Sequence, residues 1–159
     1  MPSDLYRYVD PVAAEVVLKV NGEKTDIVKD KGYAVIRRQW KAGDRIELEL
    51  PMPLRKVIGH EKIAALKGLI AVERGPLVYC AEGVDNAGKV AGLSVPRAAV
   101  LQVEKRPDLL HGVCVIKGEG MLQADGGAPQ KAAFTLVPYY AWNHRGKGEM
   151  KVWFAEGAR

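Results

Sequence analysis

Glu73 and Glu82 are the acidic residues whose setting could support chemistry. They flank two apolar runs, residues 69–72 and 77–81, divided by a Gly75-Pro76 pair. Hydrolysis of a glycosidic bond needs two carboxyl groups a few ångströms apart, one to donate a proton and one to attack or to activate water. A hairpin folded tightly at Gly75-Pro76 would draw the two regions together. The plainer expectation is structural: Glu73 pairs with Arg74 or another cation, and Glu82 caps a turn. Cys80 is a second candidate. A cysteine nucleophile needs a basic partner to lower its thiol pKa from about 8.5, and no histidine lies near it in sequence. It reads as a small buried apolar residue on a strand, as does Cys114 between Val113 and Val115. Nothing in the sequence demands a disulfide between them.

His60, His111 and His144 are far apart and lie in turn-like surroundings. Zinc sites want paired ligands at short spacing, so no metal site and no catalytic residue is assigned. His144 stands with Tyr139, Tyr140, Trp142, Asn143 and Arg145. Aromatic rings beside a polar turn can stack on sugar rings, and they can equally anchor a β-domain against a neighbour. The candidate sugar or domain-interface contacts are therefore Tyr139, Tyr140, Trp142, His144 and Arg145, with Glu73 and Arg74.

Strands must position these residues. Residues 15–20 alternate, Asn21-Gly22 is a strong hairpin signal, and 24–28 is the expected return strand. Asp30-Lys31-Gly32 and residues 41–44 read as further turns around a strand at 33–38. Residues 45–50 alternate strictly, predicting Ile46, Leu48 and Leu50 inward and Arg45, Glu47 and Glu49 toward water. Pro51-Met52-Pro53 breaks ladder pairing and marks a seam. Beyond the central unit, strands are expected at 98–104, 131–137 and 149–154, and 112–117 is expected to pair with 120–123 across Gly118-Glu119. Short strands between turns predict an all-β fold, an antiparallel, jelly-roll-like β-sandwich with two small subdomains. The divisions expected are 1–53 as a partial first sandwich, 54–147 as a second, and 148–159 as a last strand returning to the first.

Hydrophobic residues make up 48% and charged residues 27% of the 159, a globular composition. No apolar run approaches the roughly 20 residues of a membrane helix, and no signal peptide is visible at the N-terminus. The net charge of +5 comes from scattered lysines and arginines, unlike the clustered basic face of a nucleic-acid binder. Neither a membrane nor a nucleic-acid partner is expected.

Three segments carry a resemblance. They are residues 40–44 with 50–55 (WKAGD, LPMPLR), residues 74–80 (RGPLVYC) followed by Glu82 and Asp85-Asn86, and residues 137–142 (VPYYAW) with Arg145-Gly146 and 150–153 (MKVW). In that order they resemble the C-terminal β-rich region of the bacterial β-L-arabinofuranosidase-type glycoside hydrolases, family 127 and its relatives. The resemblance departs at Asn143-His144, where the family carries Ala-Asn, so it assigns no role to His144. It implies a catalytic α/α barrel outside these residues, holding the nucleophilic cysteine, zinc-binding cysteines and a glutamate. Neither Cys80 nor Cys114 matches that cysteine, and no cofactor is expected within the chain itself. The expected function is that of a non-catalytic module packing against and supporting the barrel. Two alternatives stand beside it: a carbohydrate-binding module contacting arabinose-containing glycans, and an assembly element dimerising through an exposed strand edge. A bacterial cytoplasmic or periplasmic location is expected.

Overall fold

The computed structural model describes residues 4–10, 12–123 and 127–157. In chain order its strands are β1 (Tyr6–Tyr8), β2 (Val17–Val20), β3 (Glu23–Thr25), β4 (Val28–Asp30), β5 (Tyr33–Val35), β6 (Ile46–Glu49) and β7 (Leu54–Gly59). They continue as β8 (Leu69–Arg74), β9 (Leu77–Glu82), β10 (Leu93–Ser94), β11 (Gln102–Arg106), β12 (Val113–Leu122), β13 (Gln130–Pro138), β14 (Met150–Lys151) and β15 (Phe154–Ala155). The fold is all-β, antiparallel in nearly every pairing, as expected of a sandwich. Among the described residues no helix is long and apolar enough to cross a membrane. Two compact units form: Ala13–Met52, and a larger unit built from the flanking chain up to Val12 and from Pro53 onward.

In the smaller unit β3, β2 and β6 make one sheet, and β4 pairs with β5. Asn21 (φ 55°) and Gly22 (φ 85°) supply the two positive φ angles of a tight hairpin, and Lys31 (φ 49°) and Gly32 (φ 87°) repeat them. The strand expected over 24–28 stops at Thr25; Val28 already belongs to the second hairpin. Ile46, Leu48 and Leu50 were expected inward, and here the structure differs. Cross-strand pairs Leu18–Leu48 and Val20–Ile46 put them on the face of buried Leu18 and Val20. Yet Ile46, Leu48 and Leu50 remain 53%, 51% and 62% exposed. β6 is an edge strand of this sheet, and its apolar side stays about half exposed.

In the larger unit the pairing runs β8–β15–β10–β12–β13–β9 and returns to β8, a closed circuit around one core. Ile70, Val72, Tyr79, Ala81, Ile116, Phe134, Leu136 and Phe154 fill it. β9 buries its other face as well, because Cys80 packs with Val113, Val115, Val137 and Ala141 in a second cluster. The pairing expected across Gly118-Glu119 is absent: residues 113–122 form one continuous strand. The glycines serve a different purpose. The Phe134 ring lies over them, and a Cβ at Gly118 would stand 2.6 Å from that ring. β14 pairs with β9 and β15 with β8, so the C-terminal strands stay in the larger unit, with Phe154 buried in its core.

Candidate functional site

Arg145 closes a polar knot at one end of β9. Its Nη1 donates to Asp85 Oδ1 at 2.8 Å, and its Nη2 reaches Asp85 Oδ2 and Glu82 Oε2, each at 2.5 Å. The other Glu82 oxygen accepts the Asn143 N–H at 3.0 Å. Asn86 extends the knot by donating to the Glu82 and Thr135 carbonyls and accepting the Thr135 N–H. The hydrogen-bonded Asp85 carboxylate pushes the Arg145 pKa above its ordinary value, burial opposes this, and Glu82 adds to it. Glu82 thus uses both oxygens for structure, and no side-chain cap of the turn at Gly83–Asp85 is formed.

Glu73 sits elsewhere. It pairs in register with Arg55 on β7 and Val78 on β9, on the sheet face opposite Ile70 and Val72. Val78 and Glu82 lie four residues apart on one strand, so the backbones that carry the two carboxylates are separated by roughly 13 Å. That is beyond the spacing of a glycosidase pair. Neighbouring residues of a strand point to opposite faces, so the expected Glu73–Arg74 ion pair does not form. Burial pushes the Glu73 carboxyl above the usual carboxylate range, and the Arg55 charge pulls the other way. Arg55 itself lies 4.6 Å over the Tyr8 ring and donates to the Tyr8 hydroxyl.

Glu73 opens into a cleft of about 480 Å³ walled by Tyr6, Val57, Ala71, Val78, Val152 and Trp153. Tyr6 and Trp153 stack with centroids 6.0 Å apart and planes 22° from parallel. Val57 and Ala71 are 1% and 4% exposed, and Glu73 is 6% exposed. A freely solvated outer face of an antiparallel sheet would carry polar residues here. Sequence reasoning missed Tyr6 and Trp153 as partners. They come from opposite ends of the chain, and no local pattern joins them.

Arg74 faces away from Glu73, into a second cleft of about 320 Å³ that it shares with Tyr79, Lys105, His111 and Tyr140. Thus Arg74 and Tyr140 are brought together, while Tyr139 leaves them to form a tilted ring pair with Trp142, centroids 6.1 Å apart. Trp142 packs on the Cys80 cluster. His144 is exposed beyond it. Cys80 and Cys114 are both free thiols. Burial, with Glu82 next, pushes the Cys80 thiol up to about 12, which removes the thiolate a nucleophile needs. Among the described residues no group of three or more His, Cys, Asp and Glu is placed to share a metal ion.

The sequence matches two descriptions of known families: "Beta-L-arabinofuranosidase, GH127 middle domain" over residues 6–52 and "Glycoside hydrolase family 127 C-terminal domain" over residues 54–155. A curated non-reducing end β-L-arabinofuranosidase of Bifidobacterium longum subsp. longum is 34% identical over 153 residues, 85% of this chain and 23% of that protein. A solved GH127 β-arabinofuranosidase superposes with TM-score 0.89 at 37% identity, over 99% of this chain and 25% of that one. A GH127 β-L-arabinofuranosidase from Geobacillus stearothermophilus T6 superposes with TM-score 0.78 at 42% identity, over 90% of this chain and 25% of its own. The chain therefore spans about a quarter of the length of these relatives. With both matched regions joined at the seam between Met52 and Pro53, the chain belongs to glycoside hydrolase family 127.

Proposed function

We propose that this chain is a non-catalytic module of a larger β-L-arabinofuranosidase-like glycoside hydrolase, and that it supports the catalytic region by docking through the Glu73 face. The observation carrying this reading is that face itself, where a buried carboxyl sits on an apolar floor beside the stacked Tyr6 and Trp153 rings. The half-buried Tyr6, Val78, Val152 and Trp153 around that floor gain from being covered, since each 100 Å² of apolar area removed from water is worth about 2.5 kcal/mol. The exposed Ile46, Leu48 and Leu50 of the smaller unit add a second apolar face. The carboxylates have structural engagements: Glu82 is tied to Arg145 and Asn143, and Glu73 stands too far from it to share a glycosidic bond.

The test expresses the chain together with the polypeptide encoded directly upstream and measures complex formation by light scattering and turnover on an aryl β-L-arabinofuranoside. A one-to-one complex, with turnover only in samples holding the upstream polypeptide, is the expected result. Turnover by this chain alone, or the absence of an upstream glycosidase region, overturns the reading.

A further inference from the structure

The second cleft carries a charge pattern that docking through the Glu73 face does not use. Arg74 ends β8, Lys105 lies on β11, and His111 stands on the turn before β12. Together with the Tyr79 hydroxyl and the Tyr140 ring they line one cavity, and no carboxylate lines it with them. Neighbouring cations are already matched: Arg106 pairs with Asp108 and Glu104, and Lys117 with Glu104. Among the described residues neither Arg74, Lys105 nor His111 has an ion pair. Arg74 is held beside the Tyr79 hydroxyl, which donates to the Cys114 carbonyl at 3.0 Å. Tyr140 is 64% exposed, yet the buried Ala141 and the packed Trp142 beside it fix its turn. Leu110 and His111 both hold positive φ, at 49° and 63°, ahead of Gly112. This conformation disfavours non-glycine residues and sets His111 at the cleft.

We propose that this cleft binds the carboxylate of a uronic acid residue in a glycan, with Arg74 and Lys105 on the carboxylate and Tyr140 against the sugar face. Charge-assisted hydrogen bonds from guanidinium and ammonium groups favour a carboxylate over a hydroxyl, and an exposed ring on a fixed turn favours a flat sugar face. A neutral pentose would leave the cations without a counter-charge. A nucleic acid strand would need a longer track of cations than one cleft provides. The cleft lies on the opposite side of β8 from the Glu73 face, so the inference stands or falls apart from the docking role.

The experiment titrates methyl glucuronide into the isotope-labelled chain and follows amide shifts. Saturable shifts confined to Arg74, Lys105, the turn at residues 107–112 and Tyr140 are expected, with a dissociation constant of about a millimolar. Methyl glucoside, the neutral analogue, is expected to give none. Lys105→Gln and Tyr140→Ala each weaken binding by about tenfold, the loss of one charge-assisted or stacking contact. Both positions are exposed, so the folded spectrum serves as an internal control. Absence of saturable shifts at about 20 mM, or affinity unchanged in both variants, overturns the proposal. Equal affinity for N-acetylglutamate also overturns it, because the cleft would then read any acidic side chain and not a sugar.

Discussion

Arg145 grips Asp85 through two parallel hydrogen bonds, Nη1 to Oδ1 at 2.8 Å and Nη2 to Oδ2 at 2.5 Å, while the same Nη2 holds Glu82. The three side chains are only 19%, 17% and 8% exposed. The knot ties the segment after Trp142 to the end of β9. Removing one member of a mostly buried set leaves uncompensated charge, at a cost of roughly 3 kcal/mol. Arg145→Met is expected to lower stability by about that amount in urea unfolding. Arg106→Met, which removes the exposed Asp108 pair, is expected to have little measurable effect.

The glycines of β12 make a sharper packing test. A Cβ at Gly120 would stand 2.3 Å from the Ser94 carbonyl oxygen, whereas at Gly118 it meets the edge of the Phe134 ring at 2.6 Å. A backbone oxygen shared with the β10 ladder cannot yield as a side chain can. Gly120→Ala is therefore predicted to cost about 3 kcal/mol, more than Gly118→Ala. Thermal unfolding of the two variants gives the order, and the reverse order contradicts this packing.

Glu73 predicts a pH dependence. Folding raises its pKa through burial, so the folded state binds the proton more tightly than the unfolded chain does. The stability this supplies is complete below the ordinary carboxylate pKa and is lost as pH rises through the higher folded value. Glu73→Gln removes the loss. The variant should melt above the parent protein at neutral pH, and the gap should close below about pH 4. A gap that widens on acidification contradicts the assignment.

The thiols should differ in reactivity. Cys80 is fully buried with its pKa pushed up to about 12, whereas Cys114 is partly exposed. Mass spectrometry after brief alkylation of the native protein is expected to find the label on Cys114, with Cys80 labelled only on unfolding. Prompt labelling of Cys80 would reopen a nucleophilic role.

Much of the fold was legible in the sequence because its signals are local. Asn21-Gly22 and the turn at residues 30–32 hold the positive φ angles of tight hairpins, and the strand expected over residues 131–137 lies within β13. Alternation alone misled at Ile46, Leu48 and Leu50, because a pattern reports which side is apolar and not whether anything covers it. Gly118-Glu119 reads as a turn because what excludes a side chain at Gly118, the Phe134 ring, lies on another strand, as does the Ser94 carbonyl that excludes one at Gly120. The candidate contacts fared unevenly for the same cause. Arg145 is drawn into the Glu82–Asp85 knot, Trp142 into packing, and Glu73 and Arg74 to opposite faces of one strand. Tyr6 and Trp153, which complete the Glu73 cleft, meet only once β1, β7 and β8 are assembled.

The docking face is tested most directly by the dissociation constant between this chain and the upstream polypeptide, compared for the parent sequence and Trp153→Glu. Trp153 lies at the wall of the cleft outside the main core, so the variant should keep its fold. A charge there is predicted to weaken the complex by about a hundredfold, as loss of a central aromatic anchor does. Unchanged affinity in a folded Trp153→Glu protein would contradict docking through this face.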